Sequence, residues 1–387
     1  MQQQRRKCRV VGPWLIAMLM AASPAQPALA QADIAVQSLW ELQLPPELQA
    51  RIYETAIVPG EARVVATTPG AILRIDEQGA VRPLLQLEFG GARGESATLA
   101  GNGNRAGILI HQNHAVQGFR LIDLQGQTLA SIEAPLNFHY RLAPDGATFV
   151  GIDAGGEHVQ ANAERFVYRF YNDSGEVMAQ VDSVRPQQTL DSAYTSDGAA
   201  FVTNSGIGLA AYRITDGELL WRVTRPTRFF AAGPAESGLV VASDAVERQA
   251  VGAFRAGSPL WRFTLGGNAR HLSVSPNGAF ILAADGGAAH LFSPQSGDPL
   301  WSFEMPNQAL TINSAAVNDR GVVALGAQHS SLSSGLALIL DSKGGVRFER
   351  TLTHQRSNAW IPGVQFDASG TAVLIRTLEE LILVATR

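Results

Sequence analysis

Residues 271–306 read HLSVSPNGAFILAADGGAAHLFSPQSGDPLWSFEMP, in which four short apolar segments are separated by turns rich in Gly, Pro, Ser, Asn and Asp. Short apolar segments bounded by such residues are typical of β-strands, because the turn residues supply backbone angles that a helix interior does not use. The stretch therefore predicts one unit of four antiparallel strands.

The same unit recurs along the chain, marked by two interleaved series of turn glycines. The turns between the first and second strands contain Gly60, Gly103, Gly146, Gly198, Gly238, Gly278, Gly321 and Gly370. The turns between the third and fourth strands contain Gly79, Gly126, Gly175, Gly217, Gly257, Gly297 and Gly344. A period of about 40 to 50 residues with four strands in each repeat indicates the blades of a β-propeller.

The last unit lacks its fourth strand, because the first series has eight members and the second has seven. The N-terminal segment SLWELQLP, residues 38–45, resembles the fourth strands LLWRVTRP and PLWSFEMP. We predict that it forms the outer strand of the last blade, which removes an open sheet edge. The predicted fold is all-β: an eight-bladed β-propeller of four-stranded antiparallel blades, one domain over residues 31–387, closed by the N-terminal strand.

Tryptophans recur at one position of the unit. Trp221, Trp261 and Trp301 are spaced by 40 residues, each in a predicted outer strand. We expect these large rings to fill the space between adjacent blades, and we expect Trp40 to do the same in the last blade.

Residues 1–30 read as a secretory signal peptide. Four basic residues precede an apolar segment, residues 10–22, and Ala28-Leu29-Ala30 forms a small-residue cleavage site. We expect a periplasmic or secreted protein, cleaved near Ala30, without a membrane span in the remainder. Cys8 is the only cysteine and lies within this leader, so we expect no disulfide and no lipid anchor.

The charge balance is acidic. The chain has 30 Lys and Arg against 34 Asp and Glu, and cleavage of the leader removes four of the basic residues. A nucleic-acid-binding protein or a protein of anionic membranes requires a basic surface. We therefore expect no nucleic-acid partner.

The units resemble a known family of repeats. The segments AYRITDGELLWRV (211–223) and HLFSPQSGDPLWSFE (290–304) resemble the pyrroloquinoline-quinone-type (PQQ) propeller repeat, and the turns APDG, TSDG and SPNG are similar to those of WD-repeat-like bacterial propellers. In size and compartment the chain resembles the propeller scaffold of the outer-membrane β-barrel assembly machine. That scaffold is a lipoprotein, which this chain is not expected to be.

The resemblance implies a non-catalytic scaffold whose partner is another periplasmic or envelope protein. Two alternatives stay open: a ligand- or cofactor-binding propeller, and an enzyme, either a quinoprotein-like oxidoreductase or a lactonase-type hydrolase, with a metal at the channel mouth. Quinoprotein enzymes place PQQ over two adjacent cysteines and bind calcium beside it. Because no cysteine remains after Cys8, we expect neither PQQ nor calcium, and no other cofactor.

Two sets of residues are candidates for binding at one end of the ring. The connections from each outer strand to the next inner strand contain Arg93, Arg141, Arg185, Arg228, Arg270 and Arg356. A cationic rim of this kind would attract a carboxylate, a phosphate or an acidic peptide. Loops of two neighbouring blades contain the second, polar set: His111, His114, Asp153, Glu157 and His158. The sequence assigns no catalytic residues, which stay unknown, and we predict no metal ligand.

Overall fold

The structure is a computed structural model. It describes residues 34–49, 51–59, 61, 63–68, 70–89, 92–112, 115–133, 138–153, 165–184, 192–204, 208–330, 334–353 and 363–386. The predicted signal peptide, residues 1–30, lies outside the described residues. The described residues form eight antiparallel sheets arranged as the blades of a ring.

The first strand, β1, is Val36–Gln43. Blade 1 contains β2 (Thr55–Ile57), β3 (Val64–Thr68), β4 (Ala71–Ile75) and β5 (Val81–Gln86). Blade 2 contains β6 (Glu88–Phe89), β7 (Ala92–Leu99), β8 (Arg105–Gln112), β9 (Ala115–Asp123) and β10 (Thr128–Glu133). Blade 3 contains β11 (Phe138–Leu142), β12 (Thr148–Asp153), β13 (Arg165–Asn172) and β14 (Val177–Val184). Blade 4 contains β15 (Ser192–Tyr194), β16 (Ala200–Asn204), β17 (Leu209–Arg213) and β18 (Leu219–Val223).

Blade 5 contains β19 (Thr227–Ala232), a short 3₁₀ helix (Ala235–Ser237), β20 (Leu239–Asp244), β21 (Ala250–Arg255) and β22 (Ser258–Thr264). Blade 6 contains β23 (His271–Val274), β24 (Ile281–Ala284), β25 (Ala288–Phe292) and β26 (Pro299–Glu304). Blade 7 contains β27 (Leu310–Val317), β28 (Val323–His329), β29 (Ser334–Leu340) and β30 (Val346–Thr353). Blade 8 contains β31 (Gly363–Phe366), β32 (Ala372–Arg376) and β33 (Glu380–Thr386), with β1 as its outer strand.

The prediction of eight blades closed by the N-terminal strand is confirmed. Strand β1 pairs antiparallel with β33, with Trp40 opposite Leu383 and Leu42 opposite Leu381. The strand covers residues 36–43 rather than the predicted 38–45, because the chain turns inward after Gln43 to reach blade 1. Leu44 is buried there, and its N–H donates to Glu379 O at 2.7 Å. Blade 2 departs from the four-strand plan, since the two-residue strand β6 extends its sheet.

The hydrophobic core is divided among the blade interfaces. Each sheet is apolar on both faces, and its side chains pack against those of the neighbouring blades. At the interface of blades 2 and 3, the ring of Phe149 stacks on Tyr171 at 4.8 Å and lies 4.6 Å from Phe119. Such repeated interfaces let a long chain form a single ring without one oversized core.

Every outer strand carries a β-bulge at the equivalent position. The pairing register between the third and fourth strands shifts once in each of the eight blades. In blade 5, for example, the shift places Leu260 between the paired residues Pro259 and Trp261. Bulges twist and interrupt an edge strand, so they oppose pairing of the outer strands with other chains.

The two ends of the ring differ in their connections. The turn end carries the turns between the first and second strands and between the third and fourth strands, such as 275–280 and 293–298. The linker end carries the turns between the second and third strands, such as 285–287, and the linkers between blades, such as 265–270. An antiparallel blade whose strands run roughly along the ring axis requires this division, because the chain reverses direction at each strand.

Hydrogen bonds join the turns of neighbouring blades at the turn end. Asn102 N donates to Pro144 O at 3.1 Å, and Ala235 N donates to a carboxylate oxygen of Asp197 at 2.9 Å. Asn318 Nδ2 donates to Gly370 O at 2.7 Å, which links blade 7 to blade 8. These bonds satisfy polar groups of the turns within the protein itself.

Candidate functional site

Of the predicted rim arginines, Arg228 and Arg270 lie at the linker end, whereas Arg141 lies near the turn-end terminus of its innermost strand. Arg141 is in β11, Arg228 is in β19, and Arg270 directly precedes β23. The prediction placed them in connections between blades, whereas Arg141 and Arg228 belong to innermost strands. The linkers are shorter than expected: only residues 224–226 separate β18 from β19. All three side chains are exposed.

The other predicted site residues are described in part or not at all. Arg93, His111 and Asp153 are residues of β7, β8 and β12. His111 lies one residue before the end of β8 and Asp153 ends β12, so neither lies in a loop. The remaining predicted residues lie outside the described residues: Arg185, Arg356, His114, Glu157 and His158. The polar site predicted for these loops stays a prediction.

A charged cluster around Glu54 was missed by sequence reasoning. Glu54 precedes β2, and its Oε2 accepts a hydrogen bond from Leu99 N at 2.9 Å. Burial raises the pKa of this carboxyl group above its usual value, while the hydrogen bond from Leu99 and the positive charges of Arg141 and Arg376 act in the opposite direction. The cluster brings together residues of blades 1, 3 and 8.

Arg376 is held in place by backbone carbonyls. Its Nη1 donates to Tyr53 O at 2.8 Å, and burial lowers the pKa of the guanidinium although the charge of Glu54 raises it. The residue ends β32, the second strand of blade 8. Sequence reasoning considered only the linkers, so an arginine at a strand end was not selected.

Arg270 lines a cleft of about 510 Å³ between the linkers that enter and leave blade 6. Four glycines contribute to the walls of this cleft: Gly266, Gly267, Gly286 and Gly287. Asp285, only 4% exposed, accepts hydrogen bonds from Gly267 N and Gly287 N at 2.7 Å and from Ala288 N at 2.8 Å. Its charge is therefore neutralised by backbone donors, and the exposed guanidinium of Arg270 stays accessible at the rim.

Arg228 lies on a bulge of the innermost strand of blade 5. The pairing of β19 with β20 shifts between Thr227 and Phe230, and the guanidinium of Arg228 lies 4.8 Å from the ring centroid of Phe229. A guanidinium over an aromatic ring keeps its outer edge free to bind a carboxylate. Arg228 and Arg270 thus offer two cationic groups on neighbouring blades.

The repeated tryptophans lie at blade interfaces. Trp261 stacks on Phe292 of blade 6 at 4.9 Å, and its indole N–H donates to Pro294 O at 3.2 Å. The indole N–H of Trp301 donates to Ser342 O of blade 7 at 3.1 Å. Trp221 packs with residues of blades 4 and 5, and Trp40 with residues of blades 8 and 1.

One of the turn glycines is required by this packing. Gly344 has φ +82°, and a Cβ added there would lie 3.1 Å from the ring of Trp301. A side chain at this position would therefore combine an unfavourable backbone angle with crowding of the indole. Gly297 lies against Trp261 in the same way that Gly344 lies against Trp301, so these turn glycines have the same spacing as the tryptophans they contact.

Within the described ranges, no three His, Cys, Asp or Glu side chains gather closely enough to hold a metal ion. Nor does any helix in the part of the chain that the structure describes have the length and apolar character needed to cross a membrane.

Comparison with known proteins supports the predicted resemblance. Residues 230–385, which cover most of blade 5 and blades 6 to 8, match a protein-family model described as "Outer membrane protein assembly factor BamB". No curated protein sequence matches the chain significantly.

Solved structures share the fold at low sequence identity. BamB from Moraxella catarrhalis is 11% identical, with 91% of this chain and 100% of that chain covered and a TM-score of 0.57. The computationally designed Ika8 protein is 14% identical, with 91% and 100% covered and a TM-score of 0.63. Sqt1 from Saccharomyces cerevisiae is 11% identical, with 90% and 99% covered and a TM-score of 0.61. The chain is thus similar to PQQ-type, BamB-like propellers, as predicted.

Proposed function

We propose that this propeller is a non-catalytic protein-interaction scaffold of the bacterial periplasm, and that its partner binds at the linker end. The exposed arginines of the linker end carry the proposal. At the turn end, neighbouring turns are hydrogen bonded to one another. At the linker end, Arg228 and Arg270 are exposed on neighbouring blades, and Arg270 lines a cleft.

The partner we propose is a protein segment rich in carboxylates. Guanidinium groups bind carboxylates through paired, charge-assisted hydrogen bonds, and these are stronger than bonds between neutral groups. The chain as a whole is acidic, with a net charge of −4. Local positive charge on an acidic protein favours one docking face over the rest of the surface.

The family comparison supports an envelope partner. The description matched by residues 230–385 is that of an outer membrane protein assembly factor. By this similarity, the partner is another periplasmic or envelope protein, and export depends on the leader predicted at residues 1–30. The proposal requires neither PQQ nor calcium, because guanidinium and backbone groups suffice for recognition of a protein.

Replacing Arg228 and Arg270 together with alanine is expected to weaken partner binding by about a hundredfold or more, because each charge-assisted contact contributes about 1.5–3 kcal/mol. The measurement is affinity capture of the exported, tagged protein from envelope extract, followed by titration with the purified partner. The weakening should shrink as salt is raised, since screening reduces the contribution of exposed charges.

A matched control replaces Arg82 and Arg255, two exposed arginines that lie beside turns between third and fourth strands and therefore at the turn end. This double variant removes the same net charge, so unchanged binding by it assigns the effect to position. Equal weakening by both double variants would show that general charge, and not the linker end, governs the interaction.

A further inference from the structure

A second cleft lies on the flank of blade 5, on the face that packs against blade 4. Its volume is about 330 Å³, within the size range of small-ligand sites. The apolar floor consists of Ala242, Gly252 and Phe254, and Leu260 forms one edge. Leu260 is 39% exposed, so the cleft is open to solvent.

The cleft exists because blade 5 has a glycine where the other blades have a side chain. In the third strand of blade 5, the pairing with the outer strand shifts between Ala253 and Phe254. Gly252 lies one residue before Ala253. The equivalent residues of the other blades are Ala71, Arg120, Arg169, Ala210, His290, Leu338 and Ile382. A Cβ on Gly252 would lie 3.3 Å from the ring of Phe254, so any larger side chain would enter the cleft.

Two arginines and a buried carboxylate form the mouth of the cleft. Arg225 Nε donates to Asp244 Oδ2 at 2.7 Å, and Arg262 lies 3.9 Å from the same oxygen. Asp244 has a side chain only 10% exposed. Burial raises its pKa, but the backbone N–H groups of Glu247 and Val246 and the guanidinium of Arg225 outweigh burial and hold the pKa below its usual value. Asp244 is therefore a fixed negative charge that Arg225 neutralises.

The ion-pair partner of Arg262 is more exposed than Asp244. Arg262 pairs with Glu247, whose side chain is 64% exposed. Exposed ion pairs contribute about 0–1 kcal/mol, so an incoming anion can replace Glu247 at low cost. Arg262 thus lies beside the apolar floor and has two carboxylate neighbours. The exposed Glu247 is the exchangeable one, whereas Asp244 is held by Arg225 and backbone N–H groups.

We propose that this cleft binds a small carboxylic acid with an apolar body, whose carboxylate pairs with Arg262 and whose body lies against Gly252 and Phe254. The carboxylate of Glu247 stands at the place that the ligand carboxylate takes. Aromatic acids fit best, because a ring can pack on Phe254 where the missing side chain of Gly252 leaves space. The site goes beyond the scaffold function and does not depend on a partner at the linker end.

The test measures the binding of 3-phenylpropionate to the full protein by ligand-observed NMR. 3-Phenylpropylamine has the same ring with the opposite charge, and propionate has the carboxylate without the ring. Binding of 3-phenylpropionate well above that of both other compounds is expected. Equal binding of the amine or of propionate would overturn the proposal, because the site would then lack its charge or its apolar selectivity.

Three variants locate the site. Arg262→Gln is expected to weaken 3-phenylpropionate binding by about tenfold, and Gly252→Val is expected to abolish it. Glu247→Gln is expected to strengthen it, because the competing carboxylate is removed. Arg255→Gln, an exposed change at the opposite end of β21, serves as the control and leaves binding unchanged.

The direction of the Glu247→Gln effect separates the proposal from a merely structural role. Loss of an ion pair that only supports the loop would weaken binding or leave it unchanged, and either result would overturn the proposal. Since Gly252→Val can disturb packing against Phe254, circular dichroism melting accompanies each variant. Arg262→Gln and Glu247→Gln change exposed side chains and test the site even if Gly252→Val does not fold.

Discussion

Replacing Trp40 by alanine is expected to lower the free energy of unfolding by about 3–5 kcal/mol, the range found for removal of large buried aromatic side chains. Trp40 is 7% exposed and packs with residues of blades 8 and 1, at the place where the chain closes the ring. Its loss leaves a cavity between the first and last blades. The measurement is equilibrium unfolding in urea, followed by tryptophan fluorescence and circular dichroism.

Gln37→Ala on the same strand is the matched control. Gln37 is exposed and pairs with Ala385 through the backbone, which alanine preserves. We expect it to change stability by less than about 0.5 kcal/mol, as surface substitutions usually do. If both variants had equally small effects, β1 would not contribute the side-chain packing that closes the ring.

Phe149→Ala is expected to cost a similar amount, about 3–5 kcal/mol, at the interface of blades 2 and 3. Phe149 is fully buried, and it contacts the rings of Phe119 and Tyr171. Truncation removes both ring contacts and leaves a cavity that neighbouring aromatic rings cannot readily fill. Urea unfolding again gives the change in free energy.

Phe149→Leu keeps most of the volume and is expected to cost about 1.5 kcal/mol or less, as volume-conserving core changes usually do. The difference in unfolding free energy between Phe149→Ala and Phe149→Leu measures the cost of the cavity, because both variants lack the aromatic ring. Equal destabilisation by leucine and alanine would show that the stacked geometry, not the filled volume, stabilises this interface.

The fold could be predicted because its determinants are local and repeated. Turn glycines such as Gly278 and Gly370 mark each blade, and both have positive φ in the structure. Ring closure was predictable because the segment around Trp40 resembles the outer strands that contain Trp221 and Trp301. A residue type repeated at a fixed distance in the sequence occupies a fixed place in each blade.

The ends of strands and the contacts between blades could not be predicted from the sequence in the same way. Arg376 meets the linker before blade 1 only because the ring closes, and its hydrogen bond to Tyr53 O spans nearly the whole chain. The pairing of Glu54 with Leu99 N likewise depends on the angle between neighbouring blades. Such contacts have no spacing in the sequence that could reveal them.

The cleft on blade 5 is a second feature that could not be predicted from the sequence. Gly252 lies inside a strand, and from the sequence alone a glycine there indicates only a weakened strand. The role of Gly252 in forming the cleft becomes evident only when the third strands of the blades are aligned by their pairing register. The other blades carry a side chain at this position. Shape complementarity of this kind depends on what surrounds a residue rather than on the residue alone.

Hydrogen bonds join neighbouring blades at both ends of the ring. Asn318 Nδ2 donates to Gly370 O at the turn end, and Ile312 N donates to Gly286 O at the linker end. Functional groups on loops and strand ends of a rigid framework can bind without a large ordering cost. We therefore expect the exposed arginines of the linker end to bind a partner without rearrangement of the blades.

Site-specific photo-cross-linking tests this central claim most directly. A photoreactive amino acid replaces Gln308, an exposed residue in the wall of the Arg270 cleft, or Glu236, an exposed residue of the turn end, and the cells are irradiated intact. The proposal predicts a discrete adduct with an envelope protein from position 308 and none from position 236. Adducts from position 236 alone, or equally from both positions, would contradict a partner that binds at the linker end.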